Sequence, residues 1–362
     1  MQHRFRTLDG IRGVAALLVV VLHGQPILHT RLFEHGYLMV DLFFLMSGFV
    51  LSAGYGARLQ AGGAGAWFAR RRFLRLYPLA MVGMAMGGAA ELFGLAHATL
   101  SPLPQWPLMA ALSVSFLPWL GGGLIAPFDG PTWSLQLEFW INALYGAVAP
   151  RLSNRRLAWV VATCGFALVA ASLSRGQFDG GFANDDPSRQ AGSLAFLVGW
   201  ARTGFSFPLG ILLHRLWQAG RVKVGASRAA GWIVPVGLTL VAIAPPVATP
   251  LFDLAIVGGV FPALLMLAVD NEPSGSLAGI YDRLGRLSFG LYALHGPILV
   301  FLHGLEPVQA GVVLRLALFS LGLAASLLAA AVAERWIDAP IRRYIRRNES
   351  MIQGATASAS PV

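Results

Sequence analysis

The chain has 362 residues, of which 56% are hydrophobic and 12% charged. A soluble globular protein carries about 25% charged residues, so this composition excludes a soluble enzyme, a disordered chain and a peripheral protein held by one anchor. A mean hydropathy of +0.63 and a net charge of +10 point to a polytopic membrane protein. In such a protein basic residues mark cytoplasmic loops rather than a nucleic-acid partner.

Arg4, Arg6 and Arg12 precede an apolar run from Val14 to Leu22, which reads as a retained signal anchor and first transmembrane helix. A spanning helix needs about 20 mostly apolar residues. On that basis spans are predicted near 11–29, 38–56, 74–96, 134–150, 157–174, 193–217, 230–246, 250–269, 287–305 and 310–333. The expected fold is therefore all-α, with about ten transmembrane helices in one membrane domain over residues 1–348. The stretch 107–120 is apolar but short and proline-flanked, and reads as re-entrant or interfacial.

With the N-terminus inside, 22 of the 27 basic residues fall in cytoplasmic segments. An eleventh span at 107–120 would destroy that asymmetry. Both termini are expected in the cytoplasm, the protein crossing the inner (plasma) membrane many times, with 349–362 a disordered tail. Cys164 is the single cysteine, which excludes an intrachain disulfide and a cysteine-based metal site. The eight histidines show no paired ligand spacing, so no metal is expected.

Ionisable residues within spans are costly and mark function by default. They are Arg12, His23, Asp41, Glu91, Glu138, Arg202, His295 and Arg315. Arg12 and His23 are eleven residues apart, which returns a helix to within about 20° of the same face and rises about 16 Å. His23 reads either as a general base or as a structural histidine bonded to a neighbouring helix. Asp41 stands near Ser47 and Gly48 in a lipid-like stretch; helix packing explains Ser47 and Gly48 but not the carboxylate. Arg71, Arg72 and Arg75 fall within about one helical turn. They suit a topology signal or anionic lipid, and equally a clamp for a phosphorylated ligand. Glu138 follows Trp133-Ser134-Leu135, which suits interface anchoring or sugar binding.

These segments, taken together, resemble the membrane-bound acyltransferase-3 family. Arg12 and His23 match its basic residue, ten-residue gap and histidine. Asp41 to Phe49 resembles its Asp-x-Phe-Phe-x-x-Ser-Gly-Phe segment, and Arg71-Arg72-Phe-Leu-Arg75 its R-R-x-x-R motif. Trp133-Ser134-Leu135 with Glu138, Ser288 to Pro297, and Glu334 with Pro340 resemble later segments. Phe139 stands where the family often has a second acidic residue.

The resemblance implies an acyl-CoA donor, probed first as acetyl-CoA, and transfer to a hydroxyl of a carbohydrate or glycan. His23, Asp41 and Glu138 are the expected catalytic residues. Arg12, Ser47, Arg71, Arg72 and Arg75 are the expected donor-binding residues. The competing readings are a glycan or lipid transporter and an acyltransferase acting on a small-molecule secondary metabolite.

Overall fold

The computed structural model describes residues 5–92, 105–121, 125–178, 191–223, 225, 229–245, 250–345 and 347. The tail 349–362 lies outside the described residues, as do Arg4, Arg189, Arg228 and Arg346. Among the described residues there is no β-strand. The helices are α1 (Arg6–His23), α2 (Gln25–Leu28), α3 (Met39–Gln60), α4 (Gly65–Leu92), α5 (Trp106–Val114), α6 (Trp133–Val148), α7 (Asn154–Arg175), α8 (Ala191–Gln218), α9 (Ala230–Ala242), α10 (Pro250–Ala255), α11 (Phe261–Val269), α12 (Gly275–Gly304) and α13 (Val312–Ala333). A π turn, Ile256–Val260, joins α10 to α11, and another, Glu334–Asp338, continues α13.

Seven helical stretches are long and apolar enough to cross a membrane: Glu34–Gln60, Gly65–Leu92, Asn154–Arg175, Leu194–Gln218, Pro250–Val269, Gly275–Gly304 and Val312–Ile345. The protein is an all-α, multi-pass membrane protein. α1, α6 and α9 coincide with three further predicted spans but are shorter or more charged. α5 has nine residues; at about 1.5 Å per residue it rises roughly 14 Å and cannot cross a bilayer about 30 Å thick.

Two helices begin well before their predicted spans. α4 starts at Gly65 rather than near 74, and α12 at Gly275 rather than near 287. The added turns carry Arg70, Arg71 and Arg72, and Arg283 and Arg286. A hydropathy scan sees only the apolar part of a helix; backbone hydrogen bonding continues into the charged turns.

The outward faces of α7 and α13 are apolar: Trp159, Phe166, Val313 and Leu328 are exposed. In a bilayer that surface meets lipid tails and carries no hydrophobic penalty. Between helices, small residues permit close backbone approach. Gly13 of α1 packs on Leu284 of α12, and Gly285 of α12 packs on Asp9 of α1. Gly48 of α3 meets the Phe207 carbonyl of α8, while Gly210 of α8 meets the Leu45 carbonyl of α3. A Cβ at any of these positions would overlap its neighbour. α1 and α12 thus form one tightly held pair, and α4 packs against both α6 and α12.

Candidate active site

A cavity of about 120 Å³ lies among α1, α3, α4, α6 and α12. Arg12, Ser47, Arg72, Arg75, Ser134, Glu138, Ser288 and Tyr292 are its polar lining; Phe43, Phe44 and Phe289 are among the apolar residues. α4 sets Arg72 and Arg75 three residues apart, so one face of that helix delivers both guanidiniums. α1 supplies Arg12 from the opposite wall.

Each guanidinium has a carboxylate. Arg12 donates to Asp9 Oδ1 at 2.8 Å and to Ser288 Oγ at 3.2 Å. Arg72 donates to Glu138 Oε1 at 2.8 Å, and Ser47 Oγ donates to the same oxygen at 2.9 Å. Arg75 pairs with Asp338 and lies 4.7 Å from the centre of the Phe289 ring. Nε of Arg72 is buried with no hydrogen-bond partner. Arg12 is the most exposed of the three, with 39% of its side chain accessible, and so stands nearest the mouth.

At the other end Phe43 meets Tyr292 edge to face at 5.3 Å. Tyr292 Oη and Ser134 Oγ are 2.6 Å apart, and Tyr292 also donates to the Pro131 carbonyl at 3.1 Å. One turn further along α12 comes His295, whose ring centre is 5.9 Å from that of Tyr292. His295 is fully buried, and its Nε2 lies 3.1 Å from Nδ1 of His23.

The carbonyls around this pair settle the tautomers. Nδ1 of His295 faces the Leu291 and Tyr292 carbonyls at 3.0 and 2.8 Å; carbonyls only accept, so that nitrogen carries hydrogen. Nδ1 of His23 faces the Val19 carbonyl at 2.9 Å and carries hydrogen for the same reason. The lone pair of His23 is therefore on Nε2, and that of His295 points at the hydrogen of His23.

The structure divides the sequence-selected residues into groups. Arg12, Ser47, Arg72, Arg75 and Glu138 meet in the cavity. His23 sits beyond its Tyr292 end and joins His295. Arg71 turns to the other side of α4, over Tyr55 and Trp67 at 5.1 and 5.8 Å from their ring centres. Asp41, expected among the catalytic residues, instead grips Arg202: both are buried, with Nη2 2.6 Å from Oδ2. The guanidinium lies 5.5, 5.5 and 5.3 Å from the ring centres of Tyr37, Trp133 and Phe178. This pair joins α3 to α8 away from the cavity. Arg315, also selected, holds Glu306 at 2.9 Å.

Sequence reasoning missed Asp129 and Asp338, and gave Ser288 and Tyr292 no role beyond their place in the segment Ser288 to Pro297. Asp129 precedes Trp133 in the loop before α6 and is 2% exposed. Thr132 donates to its Oδ2 at 2.5 Å, while Oδ1 has no hydrogen-bond partner. Gly83 of α4 and Gly296 of α12 leave the room it fills. Burial pushes this carboxyl up to about 7. Its signal in the sequence was an acidic residue beside Gly130-Pro131 in an otherwise apolar stretch. Among the described residues no group of three or more His, Cys, Asp or Glu is arranged to hold a metal.

Comparisons with known proteins follow the same lines. The family model described as an acyltransferase domain matches residues 5–335. The acyltransferase MdmB of Streptomyces mycarofaciens is 29% identical over 355 residues, covering 91% of this chain and 88% of that one. Protein 2 in the picA locus of Rhizobium radiobacter is 35% identical over 184 residues, covering 47% of this chain and 95% of that one. No solved structure matches.

Proposed function

Because the chain belongs to the acyltransferase-3 family, we propose that it transfers an acyl group, with acetyl the first to test, from acyl-CoA to a hydroxyl of a carbohydrate or glycan acceptor. The carrying observation is the convergence of Arg12, Arg72 and Arg75 on one cavity whose lining residue Tyr292 neighbours His295, the partner of His23. Guanidinium groups match phosphate oxygens in geometry and charge. In this reading the three arginines hold the donor phosphates at the cytoplasmic side of the inner membrane, in a ten-span arrangement with both termini cytoplasmic.

The narrow cavity suits the thin arm of the donor, with Ser47 on its wall. The arm passes Phe43 and Tyr292 to reach His23, which requires these two rings to part. Nε2 of His23 takes the proton of the acceptor hydroxyl as its oxygen attacks the thioester carbonyl. The tetrahedral intermediate collapses, the carbon–sulfur bond breaks, and the proton passes to the departing thiolate. His295 holds the Nδ1 hydrogen of His23 and so fixes which nitrogen acts as base. Glu138 keeps Arg72 in place across the cavity. Arg71 contributes charge at the same surface. Asp41 acts indirectly, by holding α3 against α8.

The likeness to acyltransferases favours transfer over transport. A small-molecule acceptor is the second reading, since the likeness to an acyltransferase over 91% of this chain fits either class of acceptor.

The test is calorimetric binding of acetyl-CoA to purified protein, followed by release of free CoA in the presence of acceptor. Wild type should bind, Arg72→Ala/Arg75→Ala should not, and His23→Ala should bind without turnover. Absence of binding to any acyl-CoA by wild type sinks the donor assignment. Turnover with soluble alcohols but with no glycan moves the small-molecule reading to first place.

A further inference from the structure

A fourth arginine stands beside the cationic end of the cavity. Arg12, Arg72 and Arg342 all lie close enough to Arg75 to act on its charge. Arg342 follows the π turn Glu334–Asp338 and pairs with both Glu334 and Asp338. Asp338 pairs in turn with Arg75. Two guanidiniums therefore share one carboxylate, and that carboxylate is only 4% exposed. Arg75 lines the cavity, whereas Arg342 does not.

From this arrangement we propose that Asp338 is a built-in competitor for the donor's phosphates, and that Arg342 is the residue that retains Asp338 when the donor takes Arg75. This rests on the donor reading above. A buried carboxylate stripped of its cation is strongly disfavoured. An anion arriving at Arg75 could not displace Asp338 if Arg75 were its single partner. Because Arg342 already holds Asp338 from the other side, the exchange leaves no charge uncompensated: Arg75 passes from carboxylate to phosphate, and Asp338 stays with Arg342. In donor affinity Asp338 then opposes binding and the two arginines favour it, with Glu334 a second carboxylate near enough to act on Arg75. Glu334 keeps Arg342 in position through its own contact.

The signs of the effects separate this device from a plain structural ion pair. With coenzyme A as the probe, Asp338→Asn should bind about tenfold more tightly than wild type, because removing a competing charged contact of about 1.4 kcal/mol changes affinity by that factor. Arg342→Gln should bind more weakly, since Asp338 then clings to Arg75 alone. In Asp338→Asn/Arg342→Gln the penalty of the second change should vanish, because nothing remains to be retained. Calorimetry on detergent-purified full-length protein reads all four, with thermal melting to confirm folding. If Asp338→Asn does not fold, Arg342→Gln alone decides: unchanged affinity overturns the proposal. Wild type that binds coenzyme A while Asp338→Asn binds no tighter overturns the exchange and leaves the donor site standing. Wild type that binds no coenzyme A overturns the donor reading itself.

Discussion

His295 Nε2 stands 3.1 Å from His23 Nδ1, so two imidazoles 272 residues apart in the chain share one hydrogen. The partner carbonyls fix the direction of that hydrogen bond, and the exposed chemistry falls to Nε2 of His23. His23→Ala should lower turnover by about 10²–10⁴-fold with donor binding retained, the range expected for losing a general base. His295→Gln should lower kcat by roughly tenfold and leave the Kd for acyl-CoA unchanged. Steady-state kinetics beside calorimetry separates the two. A His295 variant that loses donor binding together with kcat would speak for a packing role.

Arg71 and Arg72 are adjacent but face different surroundings. Arg72 enters the cavity and meets Glu138; Arg71 lies over Tyr55 and Trp67. Arg72→Ala should weaken acyl-CoA binding by about tenfold or more, the loss expected for one charge-assisted contact of at least 1.4 kcal/mol. Arg71→Ala should change it by less than about fivefold, since a partly exposed charge outside the cavity contributes under about 1 kcal/mol. Equal losses in the two variants would overturn the assignment of faces.

The Asp41–Arg202 pair is buried from both sides. Asp41→Asn removes the carboxylate that directly holds the buried Arg202 guanidinium and should destabilise the fold by about 3–5 kcal/mol. Asp41→Leu/Arg202→Met should recover most of that loss, because an apolar pair of similar volume removes both desolvated charges together. Thermal unfolding in detergent measures it. A double variant as unstable as Asp41→Asn argues against the pair as the origin.

Asp129 carries a pH dependence whose sign can be worked out. Its folded-state pKa, about 7, lies above its ordinary value of 3.8. Between those values the folded protein binds the proton more tightly than the unfolded chain does. The destabilisation is absent below pH 3.8, grows as pH rises, and is complete above about 7, where it reaches on the order of 4 kcal/mol. Asp129→Asn should therefore melt at a higher temperature than wild type at pH 8, and the gap should shrink to under about half at pH 5 and close only below about pH 4. A gap independent of pH counts against titration of this carboxyl.

Much of the cavity was legible because helical spacing and residue chemistry coincide there. Arg12, Ser47 and Glu138 are polar residues within predicted spans, and Arg72 and Arg75 belong to a dense basic cluster at the start of another. Partnership across distance was not legible. Asp41 stood out as a buried carboxylate, but its cation lies 161 residues away on α8, and nothing local names Arg202 over His23. Arg71 and Arg75 are four residues apart and Arg72 and Arg75 three, so period alone does not say which neighbour shares the cavity with Arg75. Asp338 lies beyond the last predicted span, 310–333, and only the packing of the π turn against α4 brings it to Arg75.

The seam between α1 and α12 has one more consequence. Gly13 and Gly285 lock these helices together, and the pair carries Arg12 and Ser288 at one level and His23 and His295 at another. The eleven residues from Arg12 to His23 rise about 16 Å. Two rods clamped side by side cannot shorten or stretch that interval, so the site is a ruler. On the proposed acyl-CoA reading, a carrier would be measured by the reach from its phosphates to its thioester, and one whose arm is a few bonds too short would stop below the histidines however well the arginines gripped it.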